Sequence, residues 1–138
     1  MALADPIADD EMLYRSVRPM HFTFHEGRYV TTPEAFSDRT QKISFDRARL
    51  STPESSRMGE DQAIFGLTAG EVRAIEGAKI HETAFCIEVY ASPLPLNFAH
   101  AHVAAADAKG NELLLPDTAF RRLKKRISEV ASLVLPPT

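Results

Sequence analysis

The chain reads as an α+β domain: a single unit with a twisted, mostly antiparallel sheet, short helices, and one long amphipathic helix at the C-terminus. Three observations predict it. Short apolar or alternating runs, bounded by Pro, Gly, Asp or Asn, recur at the length of strands. Compact helix starts stand between them, and only near the end does an apolar stripe at spacings of three and four persist. Length and composition suit one core: 138 residues, 44% apolar and 25% charged, with nine prolines and six glycines that imply turns and not disorder.

Residues 1–11 carry four acids and little apolar surface, so a flexible lead-in is expected there and the domain proper over 12–138. Leu13, Tyr14 and Val17 suggest a strand that stops at Pro19. Phe22 and Phe24, then Tyr29 beyond Glu26-Gly27, read as a hairpin. Thr32-Pro33-Glu34 and Thr52-Pro53-Glu54 each offer a threonine N-cap, proline at the first helical position and an acid where the helix dipole favours it, so two short helices should start there. Lys42 to Phe45 and Ala63 to Leu67 read as strands. Thr68 and Glu71 have the spacing of a capping box for a helix carrying Val72 and Ile75 up to Gly77.

The stretch from Ala84 to Val103 organises the rest: a strand around Phe85–Tyr90, a corner stiffened by Pro93 and Pro95, and a second strand from Ala99 to Ala105. Asp107–Asn111 reads as a turn. After Pro116-Asp117-Thr118, the positions Phe120, Leu123, Ile127, Val130 and Val134 predict a helix over 118–135, about 16 residues long, ending before Pro136. The lone cysteine, Cys86, lies in an apolar run and is expected in the core; it rules out an internal disulfide.

Several function classes are disfavoured. A net charge of −3 argues against a broad nucleic-acid surface. The first residues lack the regions of a signal peptide, and no run approaches the roughly 18 apolar residues of a membrane span, so a cytoplasmic protein is expected. Arg121, Arg122, Lys124, Lys125 and Arg126 crowd one part of the last helix. They read as a solvated face opposite the stripe, without the interleaved aromatics that stack nucleic-acid bases.

Four residues form the candidate chemical set. His100 and His102 share one face of a strand and could chelate a metal with His21, His25 or a carboxylate; nothing local supplies a third ligand, and the plainer reading has one satisfied by backbone and the other at the surface. No metal is therefore assigned. Arg15 on the first strand offers a planar fork for phosphate or carboxylate, or a salt bridge to Asp46 or Glu54. The segment from Ser44 to Glu54 is either a recognition loop or a turn locked by Ser44, Asp46 and Thr52. Arg15, Ser44, Asp46 and His100 are the catalytic candidates, with Phe36, Arg39, Thr52, Glu54 and Asn97 as ligand-binding candidates.

Leu13-Tyr14-Arg15 resembles the opening strand of ADP-ribosyltransferases of the Arg-Ser-Glu type, and the resemblance implies an arginine that holds NAD. It covers three residues. That family's Ser-Thr-Ser strand has no match, Val30-Thr31-Thr32 being a near miss, and its Glu/Gln-x-Glu motif is missing, with Glu82 and Glu88 isolated. A broader pattern joins Leu13-Tyr14-Arg15, Gly27 to Phe36, Ile43 to Arg47, Leu50 to Glu54, Pro93-Leu94-Pro95, Asn97 and Ala99-His100-Ala101. Over residues 13–103 it is similar to a group of small uncharacterised bacterial proteins, which implies a self-contained bacterial domain and no particular activity or cofactor. With no complete catalytic motif, the expected function is that of an accessory, immunity or defence-operon component acting through a protein partner. The alternative is a small enzyme or anionic-ligand binder built on Arg15, Ser44, Asp46 and His100.

Overall fold

The computed structural model describes residues 6–77 and 85–138; Glu82, Ala84 and the first five residues of the expected lead-in lie outside them. Strands are β1 (Met12–Val17), β2 (Phe22–His25), β3 (Arg28–Thr31), β4 (Ile43–Arg47), β5 (Ala63–Thr68), β6 (Cys86–Ala91), β7 (His100–Ala106) and β8 (Ser132–Leu135). Helices are α1 (Pro53–Ser56), α2 (Ala69–Arg73) and α3 (Asp117–Val130), with single 3₁₀ turns at Pro19–His21 and Pro33–Phe36. Six strands form one antiparallel sheet in the order β6-β7-β4-β1-β5-β8, and β2 pairs with β3 alone. The α+β architecture thus has the antiparallel sheet and C-terminal helix that the sequence patterns predict.

Side chains alternate across each strand, and register decides which face they share. Leu13, Val17, Ile43, Phe45, Phe65, Ala101, Val103, Ile87 and Val89 point to one face and meet Phe120, Leu123 and Ile127 of α3 in a single buried cluster. Phe36 is wholly buried in that cluster and stacks on Phe45 at 6.2 Å between ring centres. It is a core residue and not the ligand contact proposed for it.

Local chemistry explains the ends of most elements. Glu26 and Gly27 both take positive φ in the two-residue turn between β2 and β3, a conformation that favours glycine. Thr68 caps α2 by accepting from the Glu71 amide, while the Glu71 side chain accepts from the Thr68 amide. Thr52 makes the same box with Ser55, which fixes α1 and places Thr52 in a cap. The matching Thr32 has no capping bond, and Pro33–Phe36 closes only a 3₁₀ turn.

Three expectations change. Helix α3 stops at Val130, Ala131 turns extended, and Ser132–Leu135 adds β8 to the edge of β5. The spacing from Val130 to Val134 matches helical periodicity, yet those last residues satisfy a sheet edge. Cys86 is exposed at the start of β6, because strand alternation turns Ile87 inward in its place. Residues 6–11 are tied down: Ile7 is buried, the Asp9 carbonyl accepts from the Gly70 amide at 2.8 Å, and Glu11 pairs with Arg47. A Cβ at Gly70 would stand 2.9 Å from that Asp9 carbonyl oxygen, so only glycine admits so close an approach. Among the described residues no helix is long and apolar enough to cross a membrane.

Candidate functional site

The second face of the sheet carries polar side chains. Tyr14 of β1, Asp46 of β4 and His100 of β7 stand in one cross-strand row, and Ser44, His102 and Tyr90 form the next. Asp46 and His100 are direct partners; Ser44 is paired with His102 and lies diagonal to His100, within reach of a long side chain. This face floors a groove of about 920 Å³. Its walls are the segment from Leu50 to Met58, the tip of the β6–β7 hairpin, and a polar side with Arg15, Arg18, His21 and Glu34.

The hairpin tip is built by Pro93-Leu94-Pro95-Leu96-Asn97. Leu94 and Asn97 bond to each other through both amides at 3.0 Å, closing a turn over Pro95-Leu96. The two prolines fix φ and cannot donate, so the ladder gives way to a stiff corner. Leu96 is fully exposed there and Phe98 is 73% exposed; with Leu50 and Met58 they give the groove an apolar rim above its polar floor.

On the floor, Asn97 Nδ2 donates to Asp46 Oδ1 at 2.7 Å, and Asn97 Oδ1 accepts from the Ala99 amide at 3.2 Å. His100 Nε2 lies 3.1 Å from Ser44 Oγ, while its Nδ1 faces the Ser92 carbonyl at 2.9 Å and Ser92 Oγ at 3.0 Å. Ser92 Oγ in turn lies 2.9 Å from His102 Nδ1, and His102 Nε2 meets the Glu112 carboxylate at 2.9 Å. Tyr90 stacks on the His102 ring at 5.2 Å, and its hydroxyl donates to the Gly110 carbonyl. Burial, then the surrounding acids led by Glu112, hold the Tyr90 phenol above its ordinary pKa, so it is protonated at neutral pH.

Ser44, Asp46 and His100 of the candidate catalytic set therefore lie together with Asn97. Arg15 lines the same groove but bonds to backbone carbonyls and not to these side chains. It alternates with Tyr14 and so starts from the core face, where its guanidinium lies 5.8 Å from the centre of the Phe36 ring. Its Nε donates to the Ala35 carbonyl at 2.6 Å and Nη1 to the Ser44 carbonyl at 2.7 Å. Burial lowers its pKa, partly offset by Asp38. It thus fixes backbone behind the groove floor, using bonds to carbonyls in place of the expected salt bridge to Asp46 or Glu54.

The remaining candidates separate. Arg39 sits on the exposed Asp38–Gln41 turn, Thr52 is occupied in its cap, and Glu54 is exposed in the first turn of α1; none lines the groove. Thr31 is on the separate β2–β3 hairpin and donates to the Ser128 carbonyl. His100 and His102 share a face but bond to serines and a carboxylate, and no group of three metal-ligating side chains occurs among the described residues. Ser92 and Glu112 were not singled out in the sequence. Ser92 follows the last residue of β6 and faces His100 across the ladder, a relation that only the hairpin register supplies.

A smaller cavity of about 330 Å³ between α2 and α3 is lined by Glu71, Ile75, Arg126 and Glu129 among others. Glu71 is engaged in its cap and Arg126 contacts Glu129 at 3.4 Å, so it offers no comparable cluster. The chain matches no family model, no curated protein and no solved structure.

Proposed function

We propose that the protein binds a small ligand in the groove on the polar face of the sheet, one with a hydrogen-bonding head and an apolar arm. The convergence of Ser44, Asp46, Asn97 and His100 beneath the rim of Leu50, Met58, Leu96 and Phe98 carries this reading. Oriented polar groups beside apolar surface are what a small-molecule site requires. The head would meet an acceptor in Asp46 and a hydroxyl in Ser44, while the arm would take exposed apolar surface from water at about 25 cal/mol per Å². His100, already in contact with the Ser44 hydroxyl, is placed to serve as a base.

A thermal melt with NAD, with adenine nucleotides, and with p-nitrophenyl butyrate tests this. A ligand at a hundred times its dissociation constant adds about 2.7 kcal/mol, which for 138 residues raises the midpoint by about 9 °C. A rise that disappears in Asp46→Ala supports the groove. Flat melts with all three count against it and turn attention to a second reading.

That second reading is favoured by Leu94, Leu96 and Phe98, three exposed apolar side chains on one stiff hairpin tip. They would anchor a protein partner in the cytoplasm, consistent with an accessory, immunity or defence component. Replacing Leu96 and Phe98 by serine should leave stability unchanged and abolish such a complex.

A further inference from the structure

We propose that Ser44 is a nucleophile, with His100 as its general base, and that the groove accepts esters of short or medium apolar acyl chains. This rests on the ligand-binding reading of the groove and adds a reaction to it. His100 Nδ1 is 2.9 Å from the Ser92 carbonyl, which can only accept, so in the neutral ring Nδ1 carries the proton. Nε2 is then a lone pair, and the Ser44 hydroxyl 3.1 Å away must donate to it. That is the polarity a serine nucleophile needs.

The same logic runs onward. His102 Nε2 faces the Glu112 carboxylate at 2.9 Å and therefore carries its proton, leaving Nδ1 to accept from the Ser92 hydroxyl. Ser92 Oγ is left to accept from His100 Nδ1 at 3.0 Å. One direction satisfies every member, from Ser44 through His100, Ser92 and His102 to Glu112. Behind the nucleophile, Arg15 holds the Ser44 carbonyl at 2.7 Å, so the backbone that presents the hydroxyl is fixed from the opposite side. Ser44 and His100 are the catalytic residues; Ser92, His102 and Glu112 are positioning residues that hold the tautomer and stabilise the imidazolium once it forms.

The reaction balances without a co-reactant other than water. Ser44 Oγ bonds to the ester carbonyl carbon as its proton passes to His100 Nε2. The tetrahedral adduct then expels the alkoxide, which takes that proton and leaves as alcohol. Water attacks the acyl-Ser44, giving its proton to His100, and the carboxylic acid departs as the proton returns to Ser44 Oγ. Asn97 Nδ2 has a second hydrogen beyond the one given to Asp46, available to the oxyanion from the groove floor. The acyl chain faces Leu50, Met58, Leu96 and Phe98.

The test is covalent labelling of the full chain with an alkyl fluorophosphonate, read by intact mass and peptide mapping, beside hydrolysis of p-nitrophenyl butyrate. One label per chain at Ser44 is expected, absent in Ser44→Ala and slowed about 100-fold or more in His100→Ala. Glu112→Gln should label more slowly with an altered pH profile, an effect a merely structural role would not have. Labelling that persists in Ser44→Ala overturns the proposal. Absence of label, while p-nitrophenyl butyrate still shifts the NMR signals of Leu96 and Phe98, overturns the nucleophile and leaves the binding groove standing. Absence of both overturns both.

Discussion

Removing the Glu11 carboxylate should expose how strongly the N-terminal segment is anchored. Arg47 is 2% exposed and on the core face at the end of β4, where two bonds to Glu11, at 2.9 and 3.0 Å, meet its charge. Its Nη2 also donates to the Pro6 carbonyl at 3.3 Å, and the Glu11 side chain is only 8% exposed. Both charges have already lost their water. Glu11→Ala removes both bonds that Glu11 makes to the buried guanidinium, and taking one partner from a buried ion pair costs about 3–5 kcal/mol. Unfolding entropy scales with length, so for 138 residues the midpoint should fall by about 10–17 °C.

Acid gives the same experiment a second axis. Burial pushes the Glu11 carboxyl upward, but the hydrogen bonds and charge of Arg47, with the Arg49 amide, outweigh it and hold its pKa below the ordinary value of 4.5. The unfolded chain therefore takes up this proton first as pH falls. Glu11's contribution is complete above its unfolded pKa and is lost as pH drops through the lower folded value. Melting curves by circular dichroism should show a gap between wild type and Glu11→Ala that is constant from pH 6 to 7.5 and narrows in the acid range below 4.5. A drop of less than about 3 °C, or a gap that does not narrow, would refute the anchoring role.

Two further substitutions test the packing that the groove rests on. Ile127→Ala, in the wholly buried stripe of α3, should cost about 2–5 kcal/mol in chemical denaturation, whereas Val130→Ala, at the half-exposed end of the helix, should cost far less. Gly66→Ala tests β8 directly, because its Cβ would stand 2.9 Å from Val134 Cγ2 and from Met12 Sδ, and 3.1 Å from the Leu13 carbonyl oxygen. A loss of about 1–3 kcal/mol is expected, partly relieved when Val134 is also cut to alanine; an unchanged midpoint would mean that β8 does not sit there.

Much of the fold is local and therefore legible from one chain. Thr68 and Glu71 are three residues apart, and a capping box needs nothing else. Leu123 and Ile127 declare an amphipathic helix by spacing alone. Alternation along β4 and β7 puts Ser44 and Asp46 on one face and His100 and His102 on one face, a relation that spacing in the sequence carries.

What tertiary structure decided is partnership between residues distant in sequence. Arg15 and Ser44 line one groove, but alternation along β1 turns Arg15 away from Tyr14, and its guanidinium meets the Ser44 carbonyl in place of the hydroxyl. Phe36 reads as an aromatic ligand contact until Phe45 and Arg15 enclose it. Ser92 and Glu112 carry no motif; hairpin register and the loop after β7 bring them to the two histidines. The last four strand residues, Ser132–Leu135, have a helical spacing behind them and a free sheet edge before them. Periodicity reports only which face of an element is apolar, and it was the unpaired backbone of β5 that made the strand the better end for the chain.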